Sequence, residues 1–450
     1  MKFKGRRELI VNGNLYKVIL SIALPLMLSE LIQRAYTLTD MYFMGRLGSI
    51  QVAALTFVDP LINVILSAGL GLSVPMLAIV SQSIGAKNYE KAKVSIGNLI
   101  CLALISSVII GLYGMFFSRA TLETLQIKGE LLNTSSAYLK IVLTGTLFTF
   151  LNVCYTAVKQ AEGDTLKPLY MNLTSLLCNV ILNPIFIFKM GLGIQGAAIA
   201  TVISKFLLSC YGMYDIFYLG SGLKIDMSYI RINKSQFKTI LILGLPAIIT
   251  KCTTPSGHVV INSYAVKYGT HVLAAFGLGN KINSIFFSLS TSLSTAMTTI
   301  AGQNLGAGNI DRVKSAVKKT TILSLITGGI GTFTVLTFSE SILSKFSSDP
   351  AVIKTATEFF WVVTPTVLVW GIFQIVLGVY QGAGYTKISM LISIIRLWVM
   401  RIPLVIILDK FVGERSLWYS MSVSNYVIGL VCIAFYMSGM WQKKNKFIEV

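Results

Sequence analysis

Twelve apolar stretches follow one another along the chain, at 16–42, 52–81, 94–117, 134–160, 168–188, 195–219, 237–263, 273–302, 316–339, 352–380, 389–409 and 417–440. A helix needs about 20 consecutive apolar residues to cross a bilayer. Several stretches are longer, which predicts tilted helices or helices that run past the lipid. Hydrophobic residues make up 54% of the chain and charged residues 12%. A soluble domain carries about 25% charged residues, so lipid must be the solvent for most of this surface. The expected fold is an all-α membrane protein of twelve transmembrane helices.

Charge sets the orientation. The 38 Lys and Arg against 18 Asp and Glu give a net charge of +20, which in a soluble protein would suggest nucleic acid. Here the bases gather in alternate connections, so no nucleic-acid partner is expected. The N-terminus, the loops after spans 2, 4, 8 and 10, the central loop and the C-terminal Lys443, Lys444 and Lys446 hold about twice as many bases as the opposite side. That bias predicts both termini in the cytoplasm of a bacterial-type inner membrane. The basic start MKFKGRRELIVNGNLYK resembles a signal peptide, but no small-residue cleavage pattern follows span 1. The segment is expected to stay in place. The six cysteines lie within or at the ends of apolar runs with no paired spacing. They read as small apolar side chains rather than disulfides or a zinc site.

The chain repeats itself at an offset of 221 residues. NLYKVILSIALP at 14–25 falls on SQFKTILILGLP at 235–246, and SQSIGAKNYEKAK at 81–93 falls on GQNLGAGNIDRVK at 302–314. Gly48 meets Gly269, Pro25 meets Pro246, and QAEGDT at 160–165 meets QGAGYT at 381–386. One offset holding through loops and spans indicates a duplication. Six spans per half give both halves the same orientation, related by an axis along the membrane normal. The expected organisation is an N-terminal lobe at 1–220, a connecting loop at 221–236 and a C-terminal lobe at 237–450. The substrate path would lie between the lobes, with alternating access by rocking. Gly85-Ala86 and Gly306-Ala307 end long spans, either as helix stops or as hinges for that motion.

These residues resemble the multidrug and toxic compound extrusion (MATE) family. The features are the Leu-Pro of span 1, TDMYFMGRLG at 39–48, the Gln-x-x-Gly-Ala loop, GDTLKP at 163–168 and CNVILNPIFIFKMGLGIQGAAIATVIS at 178–204. The resemblance covers nearly the whole chain. It implies two six-helix lobes in a V that export lipophilic cations against Na+ or H+. The NorM-like branch is associated with acids on spans 7 and 10. Span 7 here has Lys251 and no acid, and the middle of span 10 has none. The DinF-like branch, with its MepA-like relatives, is closer. The resemblance places ion or proton coupling at Asp40, Asn179, Asn183 and Thr201, where Na+ would bind. Asn183 departs from the pattern, since the family often has Asp there.

Read from their own chemistry, the same residues leave alternatives open. Asp40 within a span costs roughly 2.5–3.5 kcal/mol. It carries the coupling ion or proton, or it is hydrated near the end of span 1 beside Arg46. Asn179 and Asn183 share a helix face. Their carbonyl oxygens can ligate a hard cation, or their amides can bridge helices. Pro184 should kink span 5 and free a carbonyl. Thr201 is equally a helix-packing residue.

The substrate cleft has its own candidates. Asp59 precedes Pro60, and its repeat mate is Asn280, beside Lys281. Asp59 and Lys281 are expected to face each other as a gate pair or as part of the cargo site. Tyr36, Met27, Met41 and Met44 can line an adaptable pocket or pack against helices and lipid. Glu30 and Arg34 are spaced for an intrahelical ion pair. Arg396 and Arg401 read as anchors, His258 as a packed histidine rather than a relay, and Asp215 as a solvated or paired end residue.

An organic-cation antiporter is the leading reading, driven by H+ or Na+ without a cofactor, working as a monomer among membrane lipids. A flippase for a lipid-linked saccharide of the same superfamily is the alternative. No nucleotide loop, metal cluster or catalytic-triad spacing suggests an enzyme.

Overall fold

A computed structural model describes residues 2–220 and 222–443. Lys444 and Lys446 of the basic tail lie outside the described residues, as do Met1, Ser221 and the rest of the tail, which fall within the expected lobe and loop limits. The described residues are helical and contain no strand.

A short basic helix α1 (Lys2–Asn12) precedes span 1, which is α2 (Leu15–Leu47). Asn14 starts α2 by accepting from the N–H groups of Tyr16 and Lys17. Inside α2, Pro25 cannot donate to the Ser21 carbonyl. The Thr165 hydroxyl donates there instead, at 3.3 Å, and to the Ile22 carbonyl at 3.0 Å. Spans 2 and 3 are α3 (Ser49–Gly85) and α4 (Tyr89–Thr124). Span 4, expected as one helix, is a pair, α5 (Gly129–Thr144) and α6 (Thr146–Ala161), bent by 47°. Gly145 sits at the bend, where a Cβ would lie 2.4 Å from the Val202 side chain. Span 5 is α7 (Leu166–Pro184) continued by a π-turn at Ile185–Lys189, and span 6 is α8 (Gly193–Tyr214) continued by another at Asp215–Leu219. Pro184 thus widens the helix where the sequence placed a kink.

The second half repeats this order. Spans 7 to 9 are α9 (Lys234–Lys267), α10 (Thr270–Gly306) and α11 (Ile310–Thr337), followed by the short α12 (Ser339–Leu343). Span 10 is again a pair, α13 (Pro350–Val363) and α14 (Thr366–Gly382), bent by 50° at Pro365. Then come α15 (Thr386–Ile394), a π segment Ile395–Arg401, α16 (Ile402–Val412) and α17 (Ser416–Met437). Among the described residues nine helices are long and apolar enough to cross a bilayer, and the bent pairs bring the number to eleven. The twelfth lies within the 52-residue run Thr386–Met437. Straight, that run would span about 78 Å at about 1.5 Å per residue, more than twice a hydrocarbon core. The chain turns at Gly413, φ +57, and α17 packs back along α16. The fold is therefore twelve spans in two related lobes.

The pseudo-symmetry is visible in the packing. α3 and α10 each have 37 residues and start after left-handed glycines, Gly48 (φ 141) and Gly269 (φ 95). α9 lies against α3, and α2 lies against α10. At the end of the bundle that holds the termini, the cores are shared between halves. Leu15, Ile19, Ile22 and Leu26 of α2 join a cluster made otherwise mostly of C-terminal residues, and Ile240 and Leu243 of α9 join one made of N-terminal residues. At the far end each half has its own core, one around Leu55, Val58 and Leu139 and one around Phe276, Phe359 and Trp418. The halves meet at the terminal end and separate toward the other, which gives the V.

Glycines let the halves approach. A Cβ on Gly71 would lie 2.5 Å from the Ile248 Cα. Small residues at helix interfaces of this kind replace the missing hydrophobic drive in lipid. Gly85 and Gly306 do the same at the terminal end. A Cβ on Gly85 would meet the Gln303 carbonyl at 2.0 Å, and one on Gly306 would meet the Gln82 carbonyl at 2.0 Å. Just beyond the ends of α3 and α10, Lys87 and Gly308 are left-handed. α3 and α10 thus end at Gly85 and Gly306, as expected, with the left-handed residue two positions beyond, and the same glycines are sites of close backbone approach.

α1 straps this end. The Arg7 guanidinium donates to the Ile84 carbonyl at 2.9 Å and to that of Gly85. From the other half, Arg312 donates to the carbonyls of Ile10 (3.0 Å) and Gly13 (2.5 Å). The segment between the halves is docked on the N-terminal half: the Leu223 N–H donates to Glu162 at 2.8 Å, and the Asn233 N–H donates to Asn98 at 2.9 Å.

Candidate functional site

The far half of α2 carries Tyr36 and Asp40 one helical turn apart, facing α7 and α8. Asn179 and Asn183, also one turn apart on α7, are fully buried opposite them. The Asn183 amide donates to Asp40 Oδ1 at 2.9 Å and to Asn179 Oδ1 at 3.0 Å. The Asn179 amide donates to the Tyr36 hydroxyl at 2.9 Å and reaches Thr201 Oγ1 of α8 at 3.4 Å. A continuous polar chain thus runs Asp40–Asn183–Asn179 and forks to Tyr36 and Thr201. The residues suggested for coupling are brought together, and Tyr36 joins them.

Two features suit this chain to a small cation. All its members offer oxygen. The Asn183 Oδ1 atom is buried with no hydrogen-bond partner, and leaving such an acceptor unmet costs about 1–3 kcal/mol. A hard cation or a hydronium at that atom would meet it. With Asp40 the one carboxylate in direct contact, the site is less charged than a two-carboxylate one.

Sequence reasoning gave Lys205 no role. It lies on α8 one turn beyond Thr201, inside the same half. Its backbone carbonyl accepts from the Asn152 amide at 2.9 Å. The available signal was a lysine within an apolar span, four residues from a candidate ligand.

The expected cleft set is not brought together. Asp59 lies on α3, and it forms no ion pair with Lys281 among the described residues. Asn280 donates to the Phe276 carbonyl of its own helix at 2.9 Å. Lys281 is exposed. Met27 packs against the shared core, Met41 packs beside the N-terminal far core, and Met44 is buried within it. Arg34 does not close on Glu30. It reaches across to α10 and donates to the Ser284 hydroxyl at 3.1 Å and carbonyl at 3.2 Å. In the C-terminal half Arg401 is held by Ser424 (2.9 Å) and Asn425 (2.6 Å), and Arg396 stacks over Trp370. Asp215 is buried and paired with Lys159 (3.0 Å) and Lys167 (2.7 Å).

Comparison with known proteins agrees with this architecture. The MatE family model matches residues 25–185 and again 246–407. The two matches start at Pro25 and Pro246, a pair the internal repeat aligns. The chain is similar to the probable multidrug resistance protein YoeA of Bacillus subtilis, 27% identical over 94% of this chain and 93% of that one. It is also similar to the multidrug export protein MepA of Staphylococcus haemolyticus, 25% identical over 94% and 93%. A solved outward-facing multidrug resistance MATE family transporter superposes with a TM-score of 0.91 at 22% identity, covering 97% of this chain and 98% of that one. Twice-matched along its length and alike in fold, the chain belongs to the MatE family of multi-pass membrane transporters.

Proposed function

We propose that this protein is a secondary antiporter of the cell membrane that exports small organic cations and drugs in exchange for inward H+ or Na+. The lobes at 1–220 and 237–450, joined by 221–236, would rock about their shared core so that the cleft opens to one side at a time. The chain would act as a monomer among membrane lipids, with both termini in the cytoplasm. Likeness to proteins named for multidrug resistance and export supports the cargo class.

The observation that carries the coupling reading is the polar chain at Asp40. Asp40, Asn179, Asn183 and Thr201 would hold the ion, with the unmet Asn183 Oδ1 as one ligand and Asp40 supplying the charge. Na+ or a proton at Asp40 changes the charge of the N-terminal interior, where Lys205 and Asp59 also lie. An ion can bias the rocking only if it binds one state better than the other.

The test is efflux of a fluorescent cation from proteoliposomes with a Na+ gradient and a pH gradient imposed separately. Efflux driven by one gradient identifies the coupling ion. No efflux of any cation under either gradient would overturn the reading in favour of a lipid-linked saccharide flippase.

A further inference from the structure

The C-terminal half buries two guanidiniums that no carboxylate answers. Arg396 and Arg401, each 3% exposed, lie on the π segment Ile395–Arg401. Their five-residue spacing is about one turn of such a helix, and arginine keeps its charge at any working pH. The spans of this half hold two acids, Glu358 and Asp409, and both are engaged elsewhere. Glu358 pairs with Arg415 at 3.1 Å, and Asp409 pairs with Lys267 at 2.6 Å.

The two arginines are met differently. Arg401 donates to Ser424 Oγ at 2.9 Å and to Asn425 Oδ1 at 2.6 Å, both on α17. Arg396 lies over two rings of α14, with its Cζ atom 4.8 Å from the Trp370 centroid and 5.5 Å from that of Phe373. Stacking occupies the flat face of a guanidinium and leaves the N–H groups at its edge unused. The Arg396 Nε atom is buried with no hydrogen-bond partner, and so is Nε1 of Trp370, the ring it covers. Both unmet atoms are donors. Among the described residues Arg396 joins no ion pair. A buried charge without a counter-charge is strongly destabilising, so what is wanted at this place is an acceptor that carries negative charge.

Depth and size limit what can supply it. Arg396 lies ten residues beyond the start of α15 at Thr386. That is about 15 Å along a helix, near the middle of a hydrocarbon core of about 30 Å. A lipid headgroup stays at the membrane surface, and so little exposure excludes a bulky organic anion. Thr386, Ser389 and Ser393 share the helix face of Arg396, and Thr386 Oγ1 and Ser389 Oγ are buried without partners. These hydroxyls form a line of donors leading from the start of α15 toward the guanidinium.

We propose that the C-terminal half binds a small monovalent inorganic anion, of the size and charge of chloride, at the Nε edge of Arg396, with Trp370 Nε1 as a second donor. The anion supplies the counter-charge that the spans of this half lack. The site lies in the opposite half from the Asp40 chain.

The purified full-length protein is exchanged stepwise from sodium gluconate into sodium chloride at constant ionic strength, and unfolding is followed by intrinsic fluorescence. Tm should rise with chloride and saturate. Bromide should replace chloride, and sulfate, larger and divalent, should not. Arg396→Leu should abolish the response. Trp370→Phe keeps a ring under Arg396 and removes the indole N–H. It should raise the chloride Kd by roughly tenfold, the scale of one hydrogen bond to a charged group. The same Tm in gluconate and chloride would overturn the site and leave water as its occupant. A chloride response kept in full by Arg396→Leu would overturn it as a salt effect exerted elsewhere. If Arg396→Leu does not fold, Trp370→Phe decides, and an unchanged chloride Kd in that variant would overturn the site.

Discussion

Gln82 and Gln303, repeat mates 221 residues apart, make the same hydrogen bond in opposite directions. The Gln82 amide donates to the Gly382 carbonyl at 2.7 Å, and the Gln303 amide donates to the Ala161 carbonyl at 2.7 Å. Ala161 and Gly382 are themselves repeat mates. Each half thus clasps the last turn of the other's bent span, beside the Gly85 and Gly306 contacts. On the proposed mechanism this clasp closes the cytoplasmic gate, and it must open for the cleft to face inward.

Gln82→Leu and Gln303→Leu each remove one donor from a buried carbonyl. Each should weaken the closed gate by about 1–3 kcal/mol, and the two effects should be alike. Distances between spin labels on the ends of α3 and α10 measure the closed fraction. Strongly unequal effects would contradict the symmetric clasp.

Valine at Gly85 or Gly306 places carbon against the opposing backbone carbonyl. The overpacking should cost about 1–3 kcal/mol in the closed state alone. A cysteine introduced near Gln303 in either variant should become more accessible to a membrane-impermeant thiol reagent from the cytoplasmic side. Unchanged accessibility with normal folding would show that the approach is not tight enough to gate.

Asn183→Asp adds a second carboxylate beside Asp40. If the chain holds Na+, the variant should bind it more tightly, and saturation at about ten times its Kd should stabilise the fold by about 1.4 kcal/mol. The readout is the rise in Tm between choline and sodium buffers, larger in the variant than in the wild type. No Na+-dependent rise in either protein would leave H+ as the coupling ion.

What was legible in the sequence follows from which patterns are local. The spans, their repeat and the sharing of a helix face by Asn179 and Asn183 depend on spacing along one segment, and spacing survives into the structure. The partner of a side chain depends on the neighbouring helix. Arg34 is spaced for Glu30 but finds Ser284 on α10, and the Tyr36 hydroxyl accepts from Asn179 of α7. Asp59 and Lys281 were paired by repeat logic alone, which places residues at equivalent heights without bringing their side chains into contact. The bends at Gly145 and Pro365 were hidden because apolarity continues through them. Gly85 does end α3, but the close approach it also permits was hidden because the carbonyl it admits belongs to a residue more than two hundred positions away.

The account's central claim is that Asp40 ties ion movement to cargo movement. Gradient-driven efflux of a fluorescent cation by wild type and Asp40→Asn, with binding of the same cation measured on each purified protein, tests it most directly. The account predicts that the variant still binds the cation and loses efflux under the gradient that drives the wild type. Efflux by Asp40→Asn at the wild-type rate under that same gradient would contradict it.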